Sequence, residues 1–419
     1  MAKSDQTRET FEVFLDASDL GGLQKVGTLY RSGARTALPV SFEYDSEWRR
    51  GSQAFMLDPR LELWEGQQYP PARSRAFGIF MDSAPDRWGR VLMERREAST
   101  ALREGRKMRN LQELDYLLGV HDLTRTGALR FRRPGGAFLD DSINAAPPFT
   151  SLKELAAISQ RIGESGVEDL PEYEFWLSTL MAPGSSLGGA RPKASFTDDE
   201  QRIWIAKFPA KDDRYDVGKW EYLVHELARS AGIQVPPSRQ AFLTPEYSTF
   251  CVERFDRDLK SRRMYASAMT LLECQDGDTG VGYLDIAEFI TDQGAQGHIG
   301  EDLKQLFCRV VFNVLIGYRD DHLRNHGFVR EPTGWRLSPA FDMNPNPYKS
   351  VHALTFDCVT PGPSLPLVLG TAALYRLDLP EAKDIVEALT TVVSTWRNKA
   401  SDLGLSRMEI QRMENVFQV

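Results

Sequence analysis

The chain opens with short runs in which apolar side chains alternate with polar ones or cluster as β-branched residues: FEVFLD, QKVGTLYR and ALPVSFEY. Gly21-Gly22 supplies a turn between the first two, so a small sheet or barrel is expected at the N-terminus. From Asp82 to Arg109 the period changes to that of a helix, and DRWGRVLMERRE places Trp88, Leu92 and Met93 near one face. The segment at 133–150, RPGGAFLDDSINAAPPFT, has no period and is rich in Pro, Gly, Ser and Asn, which marks a boundary. Beyond it the pattern predicts a helix from about Ser151, a loop MAPGSSLGGARPK, a strand RIWIAKFP, a helix KWEYLVHELARSAG and a strand pair around 238–255. After about 260 the chain reads as mainly helical, including EDLKQLFCRVVFNVLIG and EAKDIVEALTTVVSTWRNK. Strands followed by helices predict an α+β chain of two lobes with a cleft between them.

Composition narrows the function without choosing it. The 419 residues exceed what one hydrophobic core usually serves, and 42% hydrophobic with 26% charged residues is ordinary for a folded chain. A net charge of −8 argues against non-specific nucleic-acid binding, which needs clustered Lys and Arg. The run ERREASTALREGRKMRN at 94–110 is the local exception, read either as a solvated helical face or as a contact for phosphates or an acidic partner. Cys251, Cys274, Cys308 and Cys358 are widely spaced, without a zinc pattern, and are expected to be buried reduced thiols. No signal-peptide run and no stretch of membrane-spanning length is present, so a cytoplasmic protein with no membrane association is expected.

The strongest local signal is GYRDDHLRN, where Asp320 and Asn325 have the Asp-x-x-x-x-Asn spacing of a kinase catalytic loop. It follows a helix whose Val310, Val311, Val314, Leu315 and Ile316 are too apolar for a surface, so the loop is expected to be held rigidly. Asp320 can accept or orient a hydroxyl proton, and the amide oxygen of Asn325 is a hard ligand suited to Mg²⁺. An acidic turn closing a helix would read the same way. Asp342, in LSPAFDMNP, adds the second oxygen ligand that a Mg²⁺ site requires. Gly184, Gly188 and Gly189 permit close backbone approach to phosphates, although a flexible connector fits equally well. In RIWIAKFP, Lys207 shares a face with Ile203 and Ile205 and is expected to face inward, toward a carboxylate or phosphates. Glu221 is the better helix carboxylate for it than Glu226, since it lies beside Val224 and Ala228. VERFDR at 252–257 is a strand end that could contact adenine or could simply join lobes, and His322 and His326 are expected to be structural.

Taken in order, SSLGGARPK, WIAKFP, ELARSAGI, VERFDR, the loop from Asp320 to Asn325 and SPAFDMNP resemble the HipA family of serine/threonine kinases, toxins of type II toxin–antitoxin modules. DRWGR and LLGVHDLTRTGALRF resemble that family's leading domain. The resemblance implies a two-lobed protein-kinase-like fold: an N-terminal β-rich subdomain at 1–145, a β-rich N-lobe at 146–257 and an all-helical C-lobe at 258–419. It implies ATP and Mg²⁺ as cofactors, with Lys207, Glu221, Gly188 and Gly189 and the backbone of Glu253 and Phe255 binding ATP. Asp320 would be the catalytic base, with Asn325 and Asp342 on the metal. Ser186, with Ser185 beside it, matches the family's autophosphorylated serine. Arg319, Asp321 and Arg324 depart from the usual loop, which puts substrate choice in question.

The resemblance also implies a HipB-like helix-turn-helix antitoxin as partner, DNA contact only through that complex, and a protein substrate, with aminoacyl-tRNA synthetases among the family's targets. Two other functions fit the same residues: a small-molecule kinase of similar architecture, and a catalytically silent nucleotide-binding partner of a repressor.

Overall fold

The structure is a computed structural model, and it describes residues 9–31, 40–85, 87–140, 146–162, 164, 166–184, 189, 191–259 and 261–419. Ser185, Ser186 and Gly188, three of the expected site residues, lie outside the described residues. Packing divides the chain into two compact units, one of residues 1–211 with 256–266 and one of residues 212–255 with 267–419. This division by contact differs from the expected division by motif at 145 and 257.

The first unit is built on a four-stranded antiparallel sheet in the order Ser41–Tyr44, Gly22–Arg31, Glu9–Ala17, Leu129–Arg132. Gly21 and Gly22 sit at positive φ, +94° and +75°, so the expected turn is made by the residues that tolerate it. Phe11, Val13 and Leu15 alternate into the core, which Phe42, Phe80 and Phe131 complete. The helix Arg87–Arg103 buries Trp88, Leu92 and Met93 as its period predicts, and Glu97 with them.

LLGVHDLTRTGALRF folds into a buried polar knot. Arg125, fully buried, donates to the carbonyls of Ser83, Leu117 and Val120, and burial lowers its pKa to about 9. Asp122 accepts from Arg130 and, at 2.9 Å, from Arg262, while Asp256 accepts from the backbone N–H of Gly127 at 2.8 Å. These bonds tie residues 256–266 into the first unit, far along the chain from the Asp122 to Gly127 segment that holds them. An antiparallel hairpin of Lys193–Thr197 and Ile203–Lys207 also belongs to this unit.

The second unit contains the helix Val217–Ser230, the antiparallel pair Ser238–Ala241 and Thr249–Glu253, and a largely helical remainder centred on Ile299–Ile316. That last helix is buried on nearly every side through its final two turns, as its composition predicts. The expected all-helical part at 258–419 also carries strands: the short Ser261–Arg262 and Tyr265–Ser267, and the hairpin Gly327–Glu331 with Gly334–Leu337. Asp302, buried on the central helix, accepts from the side chain of Arg336 and the backbone N–H of Leu337 at 3.0 Å each and locks the hairpin to it. Of the four cysteines, Cys251 is buried but Cys358 is exposed, so the expectation that all four are buried fails. All four are free thiols, and among the described residues no helix is long and apolar enough to cross a membrane.

Candidate active site

The central helix ends at Gly317, whose φ of +64° turns the chain out of the helix. Asn313, one turn earlier, accepts from the backbone N–H of Tyr318 at 2.9 Å and donates its side-chain amide to Asp321 at 2.9 Å. The loop is therefore pinned to the helix by backbone and side chain together.

The two adjacent aspartates have opposite environments. Asp321 is fully buried and accepts from the Tyr283 hydroxyl at 2.8 Å, from Asn313, and from His326 Nε2 at 2.9 Å. Burial alone would push its pKa up, but His326 and these hydrogen bonds outweigh it, and the carboxyl stays below its ordinary value. A carboxylate so enclosed cannot face a substrate, which corrects the expectation that Asp321 helps to select one. His326 is structural, as expected, while His322 is exposed. Asp320, by contrast, projects from the loop, more than half exposed, and pairs with Lys349. Arg319 donates at 3.2 Å to the carbonyl of Asn346 and at 2.6 Å to that of Lys349, holding the segment that carries this lysine. Arg324 turns away to pair with Asp276.

Asn325 is buried, and its side-chain amide N–H donates to the Tyr318 hydroxyl and, at 3.4 Å, to the carbonyl of Asp320. That orientation leaves the amide oxygen turned away from both acceptors. From Asn325 the chain passes through the hairpin and returns at Ser338, whose N–H donates to Gly327 at 2.9 Å, and so brings Asp342 back beside the loop. Asn346 N–H donates to the carbonyl of Gly317 at 3.0 Å and closes the circuit. Burial raises the pKa of Tyr318, and the carboxylates of Asp321, Asp342 and Asp320 raise it further, so this phenol lies among all three. Asp342 sits at φ +60°, a left-handed conformation costly for a non-glycine residue and characteristic of functional positions.

Asn344 was not among the expected ligands. Its side-chain oxygen is buried without a hydrogen-bond donor among the described residues, two residues from Asp342. Among the described residues no three His, Cys, Asp or Glu side chains group as a metal site. The candidate set is instead one carboxylate and amide oxygens, hard donors few enough to leave positions for phosphates and water, which is how Mg²⁺ is usually held. The residues fit that ion.

The remaining expected residues lie on strands and a helix of the two units. Glu221 is buried beside Val224 and Ala228 on Val217–Ser230, whereas Glu226 is partly exposed and pairs with Arg229. Glu253 ends its strand, its N–H donating to Pro237 at 2.9 Å, and the Phe255 ring stacks on Phe341, with centroids 5.5 Å apart, next to Asp342. In the first unit, Lys207 closes the strand Ile203–Lys207. Trp204, Ala206 and Phe208 are buried on one face of that strand, and Lys207 lies half-buried on the other, the face of Ile203, which is buried as well. Its register partner is Lys193, buried, so two ammonium groups stand across from one another where the chain leaves the glycine-rich loop. Like charges directly opposite destabilise a strand pair unless an anion or carboxylate offsets them. Gly189 has φ +89°, and its carbonyl accepts from Trp88 N–H at 3.4 Å.

Residues 185–396, more than half of the chain, match the HipA-like C-terminal domain family. The chain belongs to this family. A Haemophilus influenzae protein named "Putative kinase" is 25% identical over 191 residues, 40% of this chain and 55% of the relative, so the chain spans about half the length of that curated relative. The HipA chain in a Shewanella oneidensis complex of HipA, HipB and operator DNA superimposes with a TM-score of 0.63 over 97% of this chain and 94% of that one, at 16% identity. At that identity the likeness establishes the fold: the chain has the α+β, kinase-like architecture of HipA.

Proposed function

We propose that the protein is an ATP- and Mg²⁺-dependent serine/threonine protein kinase, the toxin of a two-component module whose partner is a HipB-like antitoxin. The observation that carries the reading is the contrast within the loop: Asp321 buried as its anchor, Asp320 presented to solvent, and Asn325 and Asp342 gathered around Tyr318. A fold needs only the first of these features. Membership of the HipA-like family supports the kinase assignment, and the HipA–HipB–DNA assembly of the Shewanella protein supports the antitoxin.

In this mechanism Asp320 orients the acceptor hydroxyl and takes its proton as oxygen attacks the γ-phosphorus and the bond to the β-phosphate oxygen breaks. Lys349 must give up its contact with Asp320 when that hydroxyl arrives. Asn325 and Asp342 would hold the metal, with Asn344 as a further oxygen donor, and Lys207 would meet the phosphates. When bound, Mg²⁺ neutralises charge on the transferring group. Phe255 and Glu253 would border the adenine, and Ser186 would be the site of self-phosphorylation.

The test is incubation of the protein with labelled ATP and whole lysate, followed by phosphosite identification. Label on Ser or Thr of a discrete protein is expected. Label confined to a small molecule would overturn the protein-kinase assignment, and no transfer at all would overturn kinase activity.

A further inference from the structure

The arginine-rich run has a place in the first unit that the kinase reading does not use. Residues on one face of the helix Arg87–Arg103, among them Met93, Arg96, Glu97 and Thr100, border a cleft of about 510 Å³. Five guanidinium groups line it, those of Arg31, Arg96, Arg106, Arg109 and Arg133, against the three carboxylates of Glu97, Glu104 and Asp115. Phe11, Met93, Leu111 and Leu118 are its apolar lining.

The arginines are not equivalent. Glu97, buried on the helix, accepts from Arg106 and from both the backbone N–H and guanidinium of Arg109, which holds its pKa far below the ordinary range. This fixes two cations in the lining, and among the described residues Arg109 Nη1 has no acceptor. Arg31 is taken up by Glu9 and Asp115. Arg133 reaches Glu9 only at 3.4 Å and lies over the Phe11 ring at 5.0 Å. Arg96 forms no ion pair among the described residues. The cleft thus combines prefixed cations with spare donors and an apolar part of the lining, in a volume typical of a small-molecule site.

We propose that this cleft binds a small phosphate-bearing ligand of the nucleotide class, its phosphates on Arg96, Arg109 and Arg133 and its apolar part against Phe11, Met93, Leu111 and Leu118. A nucleic-acid duplex fits less well: it presents a ridge of phosphates to a concavity, and the carboxylates in the lining would repel it.

The experiment is calorimetric titration of the full chain with ADP in the presence of EDTA, which silences any metal-dependent site. Saturable binding is expected, weakened by about tenfold or more in Arg96→Ala and recovered in part by Arg96→Lys, because a charge-assisted hydrogen bond to phosphate is lost in the first and partly replaced in the second. Arg96 is exposed and unpaired, so both variants should fold as the parent does, which circular dichroism checks. Absence of saturable binding would overturn the proposal. So would ADP binding that Arg96→Ala leaves unchanged, or an Arg96→Ala defect that appears only with duplex DNA.

Discussion

Replacing Asp321 by Ala should cost far more stability than the same change at Asp320, although the two are neighbours in sequence. Asp321 is buried and serves three donors, the Tyr283 hydroxyl at 2.8 Å, the Asn313 amide at 2.9 Å and His326 Nε2 at 2.9 Å. Removing the carboxylate takes its acceptor from all three buried donors, and each such loss costs about 1–3 kcal/mol. A total of roughly 4–6 kcal/mol is expected, a large share of the ~5–15 kcal/mol that holds a typical domain together. Asp320 makes one ion pair with Lys349, both side chains being half exposed, so its removal should change stability by less than about 1 kcal/mol. The assay is urea unfolding, with hydrogen exchange at Tyr318 and Asn325 reporting the loop itself. Equal losses in the two variants, or a loss below about 1 kcal/mol in Asp321→Ala, would refute the assignment of one aspartate to the fold and the other to chemistry.

His352 is buried with both ring nitrogens unpartnered, and its pKa is lowered to about 4, by burial first, with Asp321 opposing and Arg319 reinforcing the shift. The unfolded chain, with a His pKa of about 6.5, then binds the extra proton between those values, so stability should fall by about 3 kcal/mol as pH drops through that window. His352→Phe should flatten that part of the stability–pH curve, and an unaltered slope would count against it. Gly317→Ala requires a left-handed alanine whose Cβ would clash with the Val416 carbonyl, so a loss of roughly 2 kcal/mol or more by denaturant unfolding is expected. A parent-like midpoint would show that the helix end can move. Phosphate on Ser186 would add about −1.5 to −2 charge where ATP phosphates should lie, so the stoichiometrically phosphorylated protein should bind ATP more weakly. Equal ATP affinity in calorimetry would exclude that form of control.

Much of this arrangement was legible in the sequence because it rests on local pattern. The Asp320 to Asn325 spacing, the apolar helix before it and the Gly21-Gly22 turn are all readable from neighbours a few residues apart. What was not legible depends on which of two similar residues is buried. Asp320 and Asp321 are identical side chains, and it is Tyr283, Asn313 and His326 closing around the second that give it its role. In RIWIAKFP both faces of the strand are apolar, and Ile203, Trp204, Ala206 and Phe208 are all buried, so alternation could not tell how deeply Lys207 sits. Residues 256–266 join the first unit through Asp122 and Arg262, a pairing that no local period announces. Lys349 sits in an exposed loop without a pattern, and only the structure puts it against Asp320.

The most direct test of the central claim is phosphoryl transfer by Asp320→Asn, measured with labelled ATP beside ATP binding by the same preparation. Because Asp320 is exposed and structurally dispensable, binding and folding should be retained while the transfer rate falls by about 10²–10⁴-fold, the usual loss when a positioned base is removed. Transfer at the parental rate would contradict the account.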